Sequence, residues 1–99
     1  MEWREGGNIM DFNEVKTIVD AMAEEFDSHA FFLKFLEKCP SSYGHLLIKH
    51  GNVTTAHAEI GKFLLNNASG LGIAKKDKDN NSPNIFGNIA PCAQWEKTE

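Results

Sequence analysis

The stretch SYGHLLIKHGNVTTAHAEIGKFLLNNASGL, Ser42–Leu71, decides how this chain is read. Tyr43 to His50 has the spacing of a short helix carrying Tyr43, Leu46 and Leu47 inward, with Ser41 or Ser42 as its cap. Gly51-Asn52 breaks it, glycine being the natural left-handed stop after His50. A longer helix follows from Thr54 to Ser69, with Val53, Ala56, Ile60, Phe63 and Leu64 on one side. Gly70-Leu71-Gly72 ends it. Two helices joined by a glycine turn form either a base-reading hairpin or one part of a helical core.

Upstream, Asp11 opens a first helix, and Glu14 three positions on completes a capping-box pattern. Phe12, Val15, Ile18, Val19, Met22 and Phe26 make one continuous apolar stripe at three- and four-residue spacing. Asp27 or Ser28 caps a second helix that runs to about Cys39, where Pro40 prevents its continuation. Phe31, Phe32, Phe35, Leu36 and Cys39 share a broad face of that helix, and Leu33 lies outside it.

Downstream of Leu71 the helical period disappears. Lys75 to Pro83 reads as a polar, solvated turn. Leu71 and Ile73 on one side, with Ile85 and Phe86 on the other, are apolar enough to pair as two short strands. Ile89, Cys92 and Trp95 are suited to lie back on the helices. The expected fold is therefore all-α: four short helices and an irregular C-terminal segment able to form a small, winged-helix-like β-hairpin. The expected layout is a loose arm over residues 1–10 and a single helical domain over 11–99, with 72–84 an exposed polar loop.

Ninety-nine residues suit one domain with one core. No apolar run approaches the roughly 18 residues that span a bilayer. Residues 1–10 contain Glu2, Arg4 and Glu5 and no apolar h-region, so a cytoplasmic location is expected. Cys39 and Cys92 are then expected as free thiols.

Charge is unevenly spread. Residues 1–42 hold four basic and nine acidic side chains. Residues 43–76 hold Lys49, Lys62, Lys75 and Lys76 against Glu59 alone, together with His45, His50 and His57. The helix pair is thus the basic part of a chain with net charge −4, and a basic patch attracts phosphate. The pair resembles the helix-turn-helix families over roughly thirty residues, with Gly51 as the turn glycine. It departs from their pattern at Leu47, where a small residue is usual, and at His57, where an apolar one is; a turn one residue longer, through Val53, partly restores the register. The resemblance implies duplex DNA as a partner. It makes Thr55, His57, Lys62 and Asn66 the groups on the reading helix, with Lys75 and Lys76 beside them.

The rival reading is a protein–protein module, an adaptor or an inhibitor, that uses the acidic first helix or the Phe-rich second one. Phe31, Phe32 and Leu33 are then the contact residues. Surplus apolar surface on that helix also suggests a homodimer through it, which is how helix-turn-helix proteins match paired half-sites.

Catalytic and metal chemistry find no support in the sequence. Asp77, Asp79 and Asn81 have the first spacings of a calcium loop, but Ser82 stands where its glycine belongs and Asn88 where its bidentate glutamate belongs. Cys39, His45, His50, His57 and Cys92 form no metal-binding spacing. No phosphate-cradling glycine motif occurs. The expectation is a binding domain that is not an enzyme and has no cofactor.

Overall fold

The computed structural model describes residues 10–98. The arm read over residues 1–10 lies, but for Met10, outside the described residues. Asp11 caps the first helix, α1 (Phe12–Ala21), accepting the Asn13 N–H at 2.8 Å on its carboxylate. Val15, Ile18 and Val19 are its buried stripe. The helix stops at Ala21, and Glu25–Asp27 forms a strand, β1. Phe26, which has the helical spacing of the α1 stripe, is instead buried in this strand opposite Trp95.

Asp27 then caps α2 (Ser28–Lys38), accepting the Ala30 N–H at 2.8 Å. Pro40 ends that helix and opens the next, α3 (Pro40–His50), because a proline at the first helical position loses no hydrogen bond. The α3 start therefore precedes the expected serine caps, and the Ser42 hydroxyl instead donates to Glu14 of α1 at 2.9 Å. Gly51 ends α3 in the left-handed region, at φ 80°, as its position suggests. Asn52 caps α4 (Val53–Asn66) through the Thr55 N–H. A short turn of helix, α5 (Ala68–Leu71), follows, and the left-handed stop is Gly72 rather than Gly70.

The chain is not all-α. Five helices are joined by five strands in two antiparallel sheets among the described residues. Strands β2 (Ile73–Lys75), β3 (Asn80–Pro83), β4 (Ile89–Cys92) and β5 (Gln94–Lys97) follow the helices. The first sheet has the order β1-β5-β2, so the last strand lies in the middle. The second is the hairpin β3-β4. Ile73 therefore pairs with Lys97, and not with Ile85 or Phe86, which instead form the hairpin loop. Of the expected polar loop at 72–84, 73–75 and 80–83 are strands.

The two sheets are one long ribbon with a fault in it. Lys75 pairs with Trp95, the Lys76 N–H donates to the Gln94 carbonyl at 2.8 Å, and pairing resumes at Asn80 with Cys92. Asp77, Lys78 and Asp79 thus stand opposite Ala93 alone. An excess of residues on one strand breaks the ladder and bends the ribbon. The Ala93 carbonyl turns away to accept the Ser28 N–H at 2.9 Å.

Trp95, Phe31, Phe35, Ile18, Ile60 and Leu64 are among the fully buried side chains. Phe31 stacks on Phe35 with centroids 6.1 Å apart, and Tyr43 meets Phe35 edge-on at 6.2 Å. The Phe-rich α2 is thus the central helix, with Leu33 left outward at 44% exposure. Cys39 and Cys92 are free thiols. Phe35→Ala should cost about 3–5 kcal/mol of stability, whereas Leu33→Ala should stay within about 1 kcal/mol. Urea unfolding of the two variants checks the contrast.

Candidate functional site

The ribbon fault sends the hairpin β3-β4 back over α2 and the first turns of α4. Its loop is built by Asn84. The Asn84 side-chain oxygen accepts the N–H groups of Phe86 and Asn88, at 2.9 and 3.1 Å. The Asn84 carbonyl accepts the Gly87 N–H, and Gly87 takes the left-handed conformation at φ 85°. This is the three-residue hairpin connection that needs glycine at its last position.

Inward-facing hairpin residues fasten it to α2. The Asn80 amide donates to the Asp27 carboxylate at 2.8 Å. His29 Nδ1 lies 3.1 Å from the Ser82 carbonyl and 3.0 Å from its hydroxyl. The Ser82 hydroxyl is also 3.8 Å from the Cys92 thiol. Burial pushes the Asp27 carboxyl up, but hydrogen bonds from Ala30, Asn80 and Ser82, and the nearby His29, hold it below the usual carboxylate range. The Trp95 indole N–H donates to the Ser28 hydroxyl at 3.0 Å, which ties the end of the ribbon to the same helix start.

Between hairpin and helices lies an open cleft of about 480 Å³. Phe32, Val53 and Ala58 line it from the helices, and Ile85, Phe86 and Ala90 from the hairpin. His29, Thr54, His57, Asn84 and Cys92 supply polar atoms, and no Asp, Glu, Lys or Arg lines it. His57 stacks on Phe32 with ring centroids 4.0 Å apart, and its Nε2 lies 2.7 Å from the Tyr43 hydroxyl. Burial, aided by the charge of His29, pulls the His57 imidazole down to a pKa of about 4. Burial also raises the Tyr43 phenol, so a protonated hydroxyl meets a neutral imidazole.

The residues read as a nucleic-acid surface are dispersed. Thr55, Lys62 and Asn66 are exposed on α4, and Lys62 has a Glu59 oxygen 3.4 Å away. His57 is turned into the cleft. Lys75 is exposed at the end of β2, while Lys76 lies 3.2 Å from a Glu25 oxygen and 4.0 Å from one of Glu96. Of the residues read as a partner surface, Phe31 and Phe32 are enclosed and only Leu33 is outward.

Sequence reasoning did not single out His29, Ser82, Asn84 or Phe86 as site residues. One legible signal was available: Asn80 to Trp95 is a run of sixteen residues without a charged side chain, in a chain where 24% are charged. No group of three or more His, Cys, Asp or Glu among the described residues could hold a metal ion. No described helix is long and apolar enough to cross a membrane. The chain matches no protein-family model, no curated protein and no solved structure.

Two measurements test this geometry. Because folding lowers the His57 pKa, the unfolded chain takes up the proton first as pH falls. Stability should therefore be undiminished above about pH 6.5 and decline from there to about pH 4. The loss due to His57 should be no more than about 3 kcal/mol. Denaturant titrations across that range, with the His57 ring protons followed by NMR, check it. Asp27→Ala removes the α2 cap and the Asn80 acceptor together, at a cost of about 1–2 kcal/mol for the cap. It should also speed amide exchange across Asn80–Cys92 more than across α1.

Proposed function

We propose that this chain is a non-enzymatic protein-binding domain that works as an adaptor or an inhibitor, and that the hairpin β3-β4 is its recognition element. The observation that carries this reading is the uncharged run Asn80–Trp95, which presents Phe86 at 66% and Ile89 at 68% exposure. Interface centres are depleted in charge and rich in aromatic side chains, and a stable hairpin tip without a partner has no need of either residue.

Strand alternation organises the surface. Ser82, Ala90 and Cys92 are half-buried toward the helices, and Asn81, Pro83, Ile89 and Pro91 face out. The Asn84 N–H donates to the Asn88 carbonyl. Alternation of bonded and non-bonded pairs then makes Pro83–Ile89 and Asn81–Pro91 the pairs whose backbone groups point away from the partner strand. Each free edge of the hairpin thus has a proline where an N–H is needed for another strand to add. The hairpin is suited to be covered face-on by side chains, not extended by a further strand.

Duplex DNA is the second reading, favoured by the shared exposed face of Thr55, Lys62 and Asn66 on α4. Against it stand the carboxylates beside Lys62 and Lys76 and a hairpin with no basic side chain.

Affinity capture from extracts of the source cells, with the native chain and with Ile89→Asp and Lys62→Glu variants, separates the two. Ile89→Asp should weaken capture of the partner protein at least tenfold, and Lys62→Glu should leave it within twofold. Undiminished capture by Ile89→Asp would refute the hairpin reading. Duplex binding that falls steeply with salt and is lost in Lys62→Glu would establish the other.

A further inference from the structure

We propose that acid releases the hairpin β3-β4 from the helices while the helical core stays folded, with the ribbon fault at Asp77–Asp79 as the hinge. This switch is built into the fold and operates whether or not the hairpin contacts a partner.

The hinge lies in the ladder. Pairing stops at Lys75–Trp95 and resumes at Asn80–Cys92, with Asp77, Lys78 and Asp79 opposite Ala93. The Ser28 N–H holds the Ala93 carbonyl at the fault, and Trp95 is buried on the sheet side of it. The sheet β1-β5-β2 is therefore anchored without help from the hairpin. The hairpin has two strands and is marginal in water without support. Once released it unpairs, so its ladder amides report the release.

The latch is titratable. Side-chain hydrogen bonds join the hairpin to the start of α2 at Asp27 and at His29. Asp27 accepts the Asn80 amide at 2.8 Å, and His29 Nδ1 lies 3.1 and 3.0 Å from the Ser82 carbonyl and hydroxyl. Protonation of Asp27 removes the charge that strengthens its bonds. His57 lines the cleft with Asn84, Ile85 and Phe86 of the hairpin. On the helix side it meets the Phe32 ring of α2 and the Tyr43 hydroxyl of α3. His29, Cys92 and Tyr43 are the titratable groups around it, and no Asp, Glu, Lys or Arg lines the cleft to balance an imidazolium.

Both protons favour opening. Burial, aided by the charge of His29, pulls the His57 imidazole down to about 4. Burial pushes the Asp27 carboxyl up, but hydrogen bonds from Ala30, Asn80 and Ser82 and the charge of His29 hold it below its ordinary range. Lifting the hairpin removes one wall of the cleft and takes Asn80 and Ser82 away from Asp27. Both groups then return toward their ordinary values. The open form binds protons that the closed form does not, so opening is favoured as pH falls. His57 acts from about pH 6.5 to about 4, and Asp27 below about 3.8.

Amide exchange of the full chain, followed by NMR and expressed as protection relative to the unstructured rate at each pH, measures the opening. The amides of the bonded hairpin pair Ser82–Ala90 should be at least tenfold less protected than those of Ile18 and Val19 in α1. From pH 6.5 to 4.5 their protection should fall at least fivefold and at most about 100-fold, because one added proton changes the opening equilibrium about tenfold per pH unit. His57→Gln, or His57→Phe where the first variant does not fold, should reduce that fall to less than fivefold. Asp27→Asn keeps a capping residue without the charge, and it should lower hairpin protection at pH 6.5 at least fivefold.

Hairpin amides protected to within tenfold of α1 overturn the proposal, because hairpin and core then open together. A fall of less than fivefold in the native chain overturns it, as does a fall of fivefold or more in the folded His57 variant. An Asp27→Asn hairpin whose protection drops less than fivefold overturns the latch.

Discussion

The rest of the structure depends on the placement of β5 between β1 and β2. Its partners come from positions about seventy and about twenty residues earlier in the chain. Neither β1 nor β2, at three residues each, can form a sheet without it. Trp95 makes the placement favourable. It is fully buried opposite Phe26, and its indole N–H reaches the Ser28 hydroxyl. A buried indole N–H without an acceptor carries a desolvation penalty of about 1–3 kcal/mol, so the same residue that closes the sheet also requires the start of α2 to be where it is. Sheet and central helix are positioned together.

That constraint extends to the site. With β5 pinned to α2, Ala93 is held by the Ser28 N–H, and the ribbon must bend there. The hairpin beyond the bend has only two strands, and a two-stranded hairpin is marginal in water by itself. Asp27 and His29 supply what it lacks through Asn80 and Ser82. Asp27 is thus capping residue, sheet residue and hairpin anchor at once. Its carboxylate has two oxygens, and α2 and β3 each take one.

Helices were legible wherever local chemistry suffices. Asp11, Asp27 and Gly51 mark their ends because a cap needs only its own neighbours. The strands were not legible, because their cause is distant. Phe26 has the spacing of a helix residue, and only Trp95 makes it a strand residue. Ile73 looks for a partner in Ile85 by proximity and finds Lys97 because the chain reverses only at Ile85–Gly87. The cleft was hidden for the same reason: Phe32, His57 and Phe86 come from three elements that share no local pattern. His57 was visible as a polar residue on α4, but its direction is set by Phe32 and Tyr43.

Charge shows the same difference between the line and the fold. Along the sequence the first 42 residues are acidic and the helix pair is basic. In space the two are interleaved. The sheet brings Glu25 from the acidic part and Glu96 from the C-terminus to Lys76, and the helix repeat brings Glu59 to Lys62. A local excess of lysine therefore does not amount to a positive surface. The uncharged run behaves differently, because no folding step can dilute it on the outward side. Strand alternation alone decides that Pro83, Ile89 and Pro91 face out, and the neighbouring elements pack against the opposite side. Absence of charge on a solvent-facing strand face thus passes from sequence to surface without rearrangement, whereas a charge imbalance passes only after every partner in the fold has been counted.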